Sequence, residues 1–118
     1  MISNQEQYDR VVNHLREQGC KSYHPDQPGR CMYRGDRGRK CAAGVLIPDD
    51  LYNPMMEGHG IEQLVRIGLP LAEYFTKEGI DIKLLKELQY IHDECPVEEW
   101  EEAFKGLAGE FNLQYRGI

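Results

Sequence analysis

The chain has 118 residues, of which 41% are hydrophobic, and its formal net charge is −6. This length suits one domain with one hydrophobic core, and the composition is that of an ordered globular protein and not of a disordered one. No apolar run approaches the roughly 18 residues that a transmembrane helix needs, and the N-terminus lacks the pattern of a signal peptide. We therefore expect one globular domain over residues 1–118 that lies in the cytoplasm and does not bind membranes.

The first predicted element is a helix over residues 4–18. Ser3 and Glu6 have the spacing of a capping box, and apolar residues follow at helical intervals until Gly19. Residues 20–30 contain two prolines and a glycine among polar residues, which predicts a loop.

A β-hairpin is predicted next, over about residues 31–47. Two short segments flank the turn-forming sequence Gly35-Asp-Arg-Gly38, and the second segment is the longer. The sequence Cys-Ala-Ala-Gly at 41–44 is poor strand material, so a helix that begins at Ala42 stays open as an alternative. Pro48 with two following acids predicts the start of a short helix.

The second half of the chain has the pattern of a helical bundle. Helices are predicted from Ile61, from Pro70, after a cap at Asp81, and from Pro96, each with apolar residues three and four positions apart. The predicted class is α+β, with an N-terminal helix and one hairpin packed on a C-terminal bundle of three to four helices.

The four cysteines leave two states open, because a cytoplasmic protein faces a reducing pool. Free thiols and no cofactor are the simpler prediction. A structural zinc site is the alternative, since Cys and His are the usual ligands of tetrahedral zinc. Its ligands would be Cys20, His24, Cys31 and Cys41, although the spacing lacks a Cys-x2-Cys pair.

A catalytic site centred on Cys41 is a further alternative. Several cations precede this cysteine and would favour its thiolate, while His92 with Asp93, or alternatively His24 or His59, could supply a base. Together with Arg34 and Arg39, the same group could form a small catalytic or anionic-ligand-binding domain.

Charge is divided unevenly along the chain. Residues 1–41 carry eight Lys and Arg against five Asp and Glu, whereas residues 42–118 carry six against fifteen. Either charged region suits contact with an oppositely charged protein partner, and the basic region also suits a small anion. The two regions could also neutralise each other. The excess of acids opposes general binding to nucleic acids. The candidate contact residues are Arg34, Arg37, Arg39 and Lys40 in a basic segment, and Glu98, Glu99 and Glu102 in an acidic one.

Several segments resemble a group of small uncharacterised proteins of bacteriophage and prophage genomes. They are Cys31-Met-Tyr-Arg, Lys40-Cys-Ala-Ala-Gly-Val-Leu-Ile-Pro-Asp, Leu88-Gln-Tyr-Ile-His-Asp93 and the stretch from Trp100 to Leu113. The resemblance implies a phage or bacterial setting and supplies no catalytic residue.

The function that we predict is therefore non-enzymatic. A small phage or bacterial interaction protein would inhibit or modulate a host or defence protein in the host cytoplasm. Its contact surface would be the basic hairpin tip or the acidic helix.

Overall fold

In the computed structural model, which describes residues 1–67 and 70–117, the chain forms six α-helices and one two-stranded antiparallel sheet within those ranges. The elements are α1 (Asn4–Gln18), β1 (Tyr23–His24), β2 (Gln27–Cys31), α2 (Ala42–Leu46), α3 (Ile61–Ile67), α4 (Pro70–Glu78), α5 (Ile82–Glu94) and α6 (Trp100–Glu110). The predicted α+β class is confirmed, with its N-terminal helix and its C-terminal bundle, and a two-stranded hairpin is present at another place in the chain than predicted.

Helix α1 has the predicted bounds, and both of its ends are capped as the sequence indicates. The Ser3 hydroxyl accepts a hydrogen bond from the Glu6 backbone N–H at 3.1 Å. At the other end Gly19 is left-handed (φ 70°), and its N–H donates to the Leu15 carbonyl. The face that α1 contributes to the core consists of Tyr8, Val11, Val12 and Leu15.

The β-hairpin lies earlier in the chain than the sequence predicts. Strands β1 and β2 occupy the segment predicted as a loop, and Tyr23 pairs with Cys31. The Asp26 N–H donates to Nδ1 of His24 at 3.0 Å, which stabilises the turn between the strands. The loop predicted over 20–30 is therefore wrong, because the turn residues that indicate a loop here connect two short strands.

Residues 32–47 form a loop and a short helix, so the hairpin predicted over 31–47 is also wrong. Arg34 and Lys40 make one isolated bridge around a 3-10 helix over Asp36–Gly38. Helix α2 then begins at Ala42, as the alternative allows, and Sγ of Cys41 caps it by accepting from the N–H of residue 44 at 3.4 Å. The apolar run is packed in the core as a helix and has no strand partner.

Between α2 and α3 the chain makes turns, and the short helix predicted after Pro48 is a single turn. The N–H groups of Leu51 and Tyr52 both donate to the Pro48 carbonyl. The Glu57 carboxylate then accepts hydrogen bonds from the N–H of Tyr33 at 2.9 Å and from the Tyr52 hydroxyl at 2.7 Å. These bonds tie the turns to the loop before α2.

The predicted helical bundle is formed by α3–α6, and α5 is its central helix. Helix α5 packs against α1, α2, α3 and α6. The Asp81 carboxylate caps α5 by accepting from the Leu84 N–H at 3.0 Å, as predicted. Helix α6 begins at Trp100 after a 3-10 helix over Val97–Glu99, slightly later than the predicted start at Pro96. Fully or nearly buried core residues of the two helices are Leu84, Leu85, Leu88, Trp100 and Phe104.

The C-terminal residues 112–117 return along α1. The side-chain amide of Gln5 donates to the Gln114 carbonyl at 3.1 Å and accepts from the Gln114 N–H at 2.8 Å. The Tyr115 hydroxyl donates to Oε1 of Glu101 at 2.8 Å. This segment therefore engages one carboxylate of the acidic run on α6.

Candidate functional site

A buried polar network surrounds His92, in the last turn of α5. The ring is fully buried, and its Nε2 accepts a hydrogen bond from the Ser22 backbone N–H at 3.0 Å. Because an N–H group faces Nε2, we assign the ring proton to Nδ1, which donates to Oδ1 of Asp93 at 2.7 Å. His92 is thus a neutral side chain that has both nitrogens engaged.

Asp93 is the acceptor at the centre of this network. Its carboxylate also accepts from Nε2 of Gln89 at 2.9 Å, and the Cys31 sulfur lies within 4.8 Å of a carboxylate oxygen. Burial opposes the negative charge, but these groups and His92 together outweigh burial and hold the pKa of Asp93 below its usual range. The ionised side chain remains 30% exposed. We call Ser22, Cys31, Gln89, His92 and Asp93 the Asp93 network.

The thiols beside this carboxylate keep their protons. Burial, followed by the charge of Asp93, raises the pKa of Cys31 to about 12. Burial also raises the pKa of Cys41 to about 12, despite the opposing hydrogen bond from the Gly44 N–H. The basic residues that precede Cys41 therefore do not produce the thiolate that a nucleophile needs.

The structure brings only part of the proposed catalytic group together, because neither Arg34 nor Arg39 lines the cleft beside Cys41. Cys41 and Asp93 line one cleft, and His92 contacts Asp93 directly. A general base would have to accept the thiol proton, yet both ring nitrogens of His92 are engaged. The arrangement is therefore suited to holding the loop before β1 against α5.

The predicted zinc ligands do not form one group among the described residues. The potential metal ligands whose donor atoms lie within 4.8 Å of one another are Cys31, His92 and Asp93. Only Cys31 belongs to the predicted set of Cys20, His24, Cys31 and Cys41. A metal on Nδ1 of His92 would require the ring proton to move to Nε2, where the Ser22 N–H already points. The donor geometry therefore favours a hydrogen-bond network over a metal site.

Two adjoining clefts open at Asp93. The first has a volume of about 270 Å³, and its lining includes Tyr33, Cys41 and Glu57. The second has a volume of about 300 Å³, and its lining includes Tyr90 and Glu94. Residues that line both clefts are Gly60, Ile61, Gln89 and Asp93. The Asp93 carboxylate therefore lies where the clefts meet.

Arg34, the first of the predicted basic contact residues, is engaged within the fold. Its Nη2 donates to the Ile47 carbonyl at 2.7 Å, and its Nη1 pairs with Oδ1 of Asp49 at 2.8 Å. The guanidinium carbon also lies 4.9 Å from the centre of the Tyr52 ring. This side chain holds the turns after α2 and has little freedom to grip an anion.

The other basic contact residues differ in exposure. Arg39 and Lys40 are half-buried, and the Lys40 N–H donates to Oε1 of Gln18 at 2.8 Å. Arg37 is exposed and left-handed (φ 57°) within the 3-10 helix. Arg37 is therefore the most accessible cation of the predicted set.

The acidic residues at the end of α5 and the start of α6 are exposed. Glu94, Glu98, Glu99 and Glu102 form no ion pair with any residue that the structure describes. Glu101 in the same run differs, because its carboxylate binds the Arg16 guanidinium through contacts of 2.6 and 2.8 Å. Tyr90 and Val97 add apolar area, with 60% and 36% exposure. We call Tyr90, Glu94, Val97, Glu98, Glu99 and Glu102 the acidic surface.

Sequence reasoning missed three members of the site. Gln89 precedes Asp93 by four residues on one helix, and this amide–carboxylate spacing was an available signal. Glu57 and Ser22 had no comparable signal, because Glu57 acts on the distant loop before α2 and Ser22 contributes a backbone N–H.

A scan against protein families and searches of curated proteins and of solved structures found no match to this chain. No helix in the described parts of the chain is long and apolar enough to cross a membrane.

Proposed function

We propose that this chain is a small non-enzymatic interaction protein that binds a basic protein partner through the acidic surface. The proposal rests on one observation, which is that the acidic segment has more exposed, unpaired charge than the basic segment. The four glutamates of this surface are exposed and unpaired among the described residues. Of the four basic contact residues, Arg34 is bound within the fold, Arg39 and Lys40 are half-buried, and Arg37 is exposed. The same proposal includes a role as an inhibitor or modulator of a host or defence protein, in the phage or bacterial setting that the resemblance implies.

The acidic surface combines charge with apolar contact area. Carboxylates without counterions attract a cationic partner and accelerate its association. Tyr90 and Val97 add the apolar area, and exposed tyrosines often contribute much of the affinity at interfaces. The positive N-terminal end of α6 stabilises nearby acids such as Glu102, so the domain tolerates these charges without internal partners.

The alternative site centred on Cys41 has less support. Cys41 is a buried thiol, His92 has no free nitrogen, and Arg34 is bound to backbone and carboxylate oxygens. An anion that entered the cleft beside Cys41 would meet the carboxylates of Asp93 and Glu57. Like charges repel there, so a small anionic ligand is disfavoured.

Charge reversal on the acidic surface tests the proposal. The triple variant Glu98→Lys, Glu99→Lys, Glu102→Lys would be compared with wild type in affinity capture from a bacterial lysate. Binding of each captured protein would then be measured with purified components. We expect the dissociation constant to rise by about tenfold or more, because several favourable charge pairs become repulsive.

A matched control variant separates the effect of the acidic surface from the effect of net charge. The variant Glu17→Lys, Glu73→Lys, Glu110→Lys reverses three exposed acids elsewhere and changes the net charge equally. It should retain the partner, and circular dichroism should show that both triples are folded. Equal affinity of wild type and the acidic-surface triple would overturn the proposal. Loss of binding in Arg37→Glu alone would place the contact on the basic loop instead.

A further inference from the structure

The Asp93 carboxylate lies where the two clefts meet and forms no ion pair with a lysine or arginine that the structure describes. Lys86 lines the second cleft, and its ammonium group pairs with the Glu62 carboxylate. His92 and Gln89 donate hydrogen bonds to the carboxylate as neutral groups. Lys21 donates to the backbone carbonyl of Asp93 at 3.1 Å, and no contact joins it to the carboxylate. The ionised group is held rigidly from the protein side while part of it faces the clefts.

We propose that these clefts bind a lysine or arginine side chain of the basic partner, with its cationic head beside Asp93. This inference rests on the proposed function, which supplies the basic partner, and adds the place where one side chain of that partner is inserted. The second cleft includes Tyr90 and Glu94, which belong to the acidic surface. One partner could therefore contact the acidic surface and reach Asp93.

The lining matches the two parts of a long cationic side chain. Lysine and arginine have an apolar stem and a charged head, and they place the stem on apolar surface. Tyr33 and Ile61 line the first cleft, and Ile61 with Tyr90 lines the second, so both offer apolar walls. Asp93 and Glu57 add negative charge to the first cleft, which favours a cation over an anion or a neutral group.

A titration with two matched small probes tests this inference directly. N-acetylarginine N-methylamide carries the charge, and the citrulline analogue has nearly the same shape without it. We expect the arginine probe to shift the NMR signals of the Gln89 side-chain amide and the Gly60 backbone amide. Its dissociation constant should be at least about tenfold lower than that of the citrulline probe, because a partly desolvated charge pair is lost in citrulline.

A variant that fills the clefts tests the inference without changing any residue of the Asp93 network. Gly60 lines both clefts, a Cβ added there would meet no atom within 4 Å, and its φ is outside the left-handed region. Gly60→Phe should fold, keep the hydrogen bonds of Asp93 and weaken the arginine probe by about tenfold or more. Asp93→Asn should weaken it similarly by removing the charge.

The outcomes distinguish this inference from the proposed function. Equal binding of the two probes, or unchanged binding of the arginine probe to Gly60→Phe, would overturn the inference. Shifts confined to Glu98, Glu99 and Glu102 would also overturn it while leaving the acidic surface as the contact. The proposed function fails separately, when the Glu98, Glu99 and Glu102 triple variant keeps its protein partner.

Discussion

The basic loop before α2 and the acidic start of α6 are both dense in charge, but the fold uses them differently. Arg34 bonds to a carbonyl, a carboxylate and an aromatic ring, so its charge stabilises the turns around it. Glu98, Glu99 and Glu102 face solvent without a described counterion. A guanidinium has several donors that backbone carbonyls can satisfy, whereas an acid near a helix N-terminus is stabilised by the helix itself. A charge-rich segment of the sequence therefore presents charge to a partner only where its side chains have no ion-pair or hydrogen-bond partners within the fold.

Changes in the packed loop region should have the largest effect on stability. A Cβ at Gly44 would lie 2.1 Å from the Tyr33 carbonyl oxygen, and neither backbone can move easily. We expect Gly44→Ala to lower the free energy of unfolding by about 3 kcal/mol, measured by urea denaturation.

The same substitution, glycine to alanine, should increase stability when it is made on α6. Gly106 lies on α6, and a Cβ there meets no atom within 4 Å. Gly106→Ala should raise the free energy of unfolding by about 0.5–1 kcal/mol, because alanine loses less backbone entropy in a helix. A wild-type midpoint for Gly44→Ala would contradict the packing described for α2.

Removal of the buried histidine should have the next largest effect. His92→Leu leaves the Ser22 N–H donor and one acceptor oxygen of Asp93 without their partner in the interior. We expect a loss of about 2 kcal/mol in the free energy of unfolding, in the same denaturation measurement. His59→Leu is the control, because this exposed histidine should tolerate the change. Equal stabilities for the two variants would show that the network contributes nothing.

Acid should weaken the same network. The pKa of Asp93 is lower in the folded protein than the ordinary value of about 3.9, so its contribution is complete above that value. It is lost as the pH falls through the folded-state pKa. The difference in stability between wild type and Asp93→Asn should therefore shrink below about pH 4. Parallel pH profiles for the two proteins would refute this contribution.

The smallest effects should come from neighbouring acids on α6. Glu101→Gln breaks the paired contacts with Arg16 and should cost about 0.5–1 kcal/mol, since the pair is partly exposed. Glu102→Gln removes only a favourable interaction with the helix end and should lower the free energy of unfolding by about 0.3 kcal/mol. Thermal unfolding of both variants checks the order, and a larger loss for Glu102→Gln would mean that this acid has an internal partner.

The site itself was only partly predictable. His92, Asp93, Cys31 and Cys41 could be chosen as chemically capable residues, but their roles depend on what faces them. Ser22 lies 70 residues from His92 in the chain and determines through one backbone N–H which ring nitrogen carries the proton. That single contact occupies the ring nitrogen that would otherwise be free to accept a proton.

The sequence by itself determined most of the helices, because their signals are local. The cap at Ser3, the stop at Gly19 and the cap at Asp81 act within a few residues of the turns that they stabilise. Tertiary structure decided the hairpin and α2, since the apolar run at 42–46 suits either a buried strand or a buried helix. Close packing of Gly44 on the Tyr33 backbone selects the helix. Tertiary structure also decided which charges stay free, because ion pairs such as Arg16–Glu101 join distant parts of the chain.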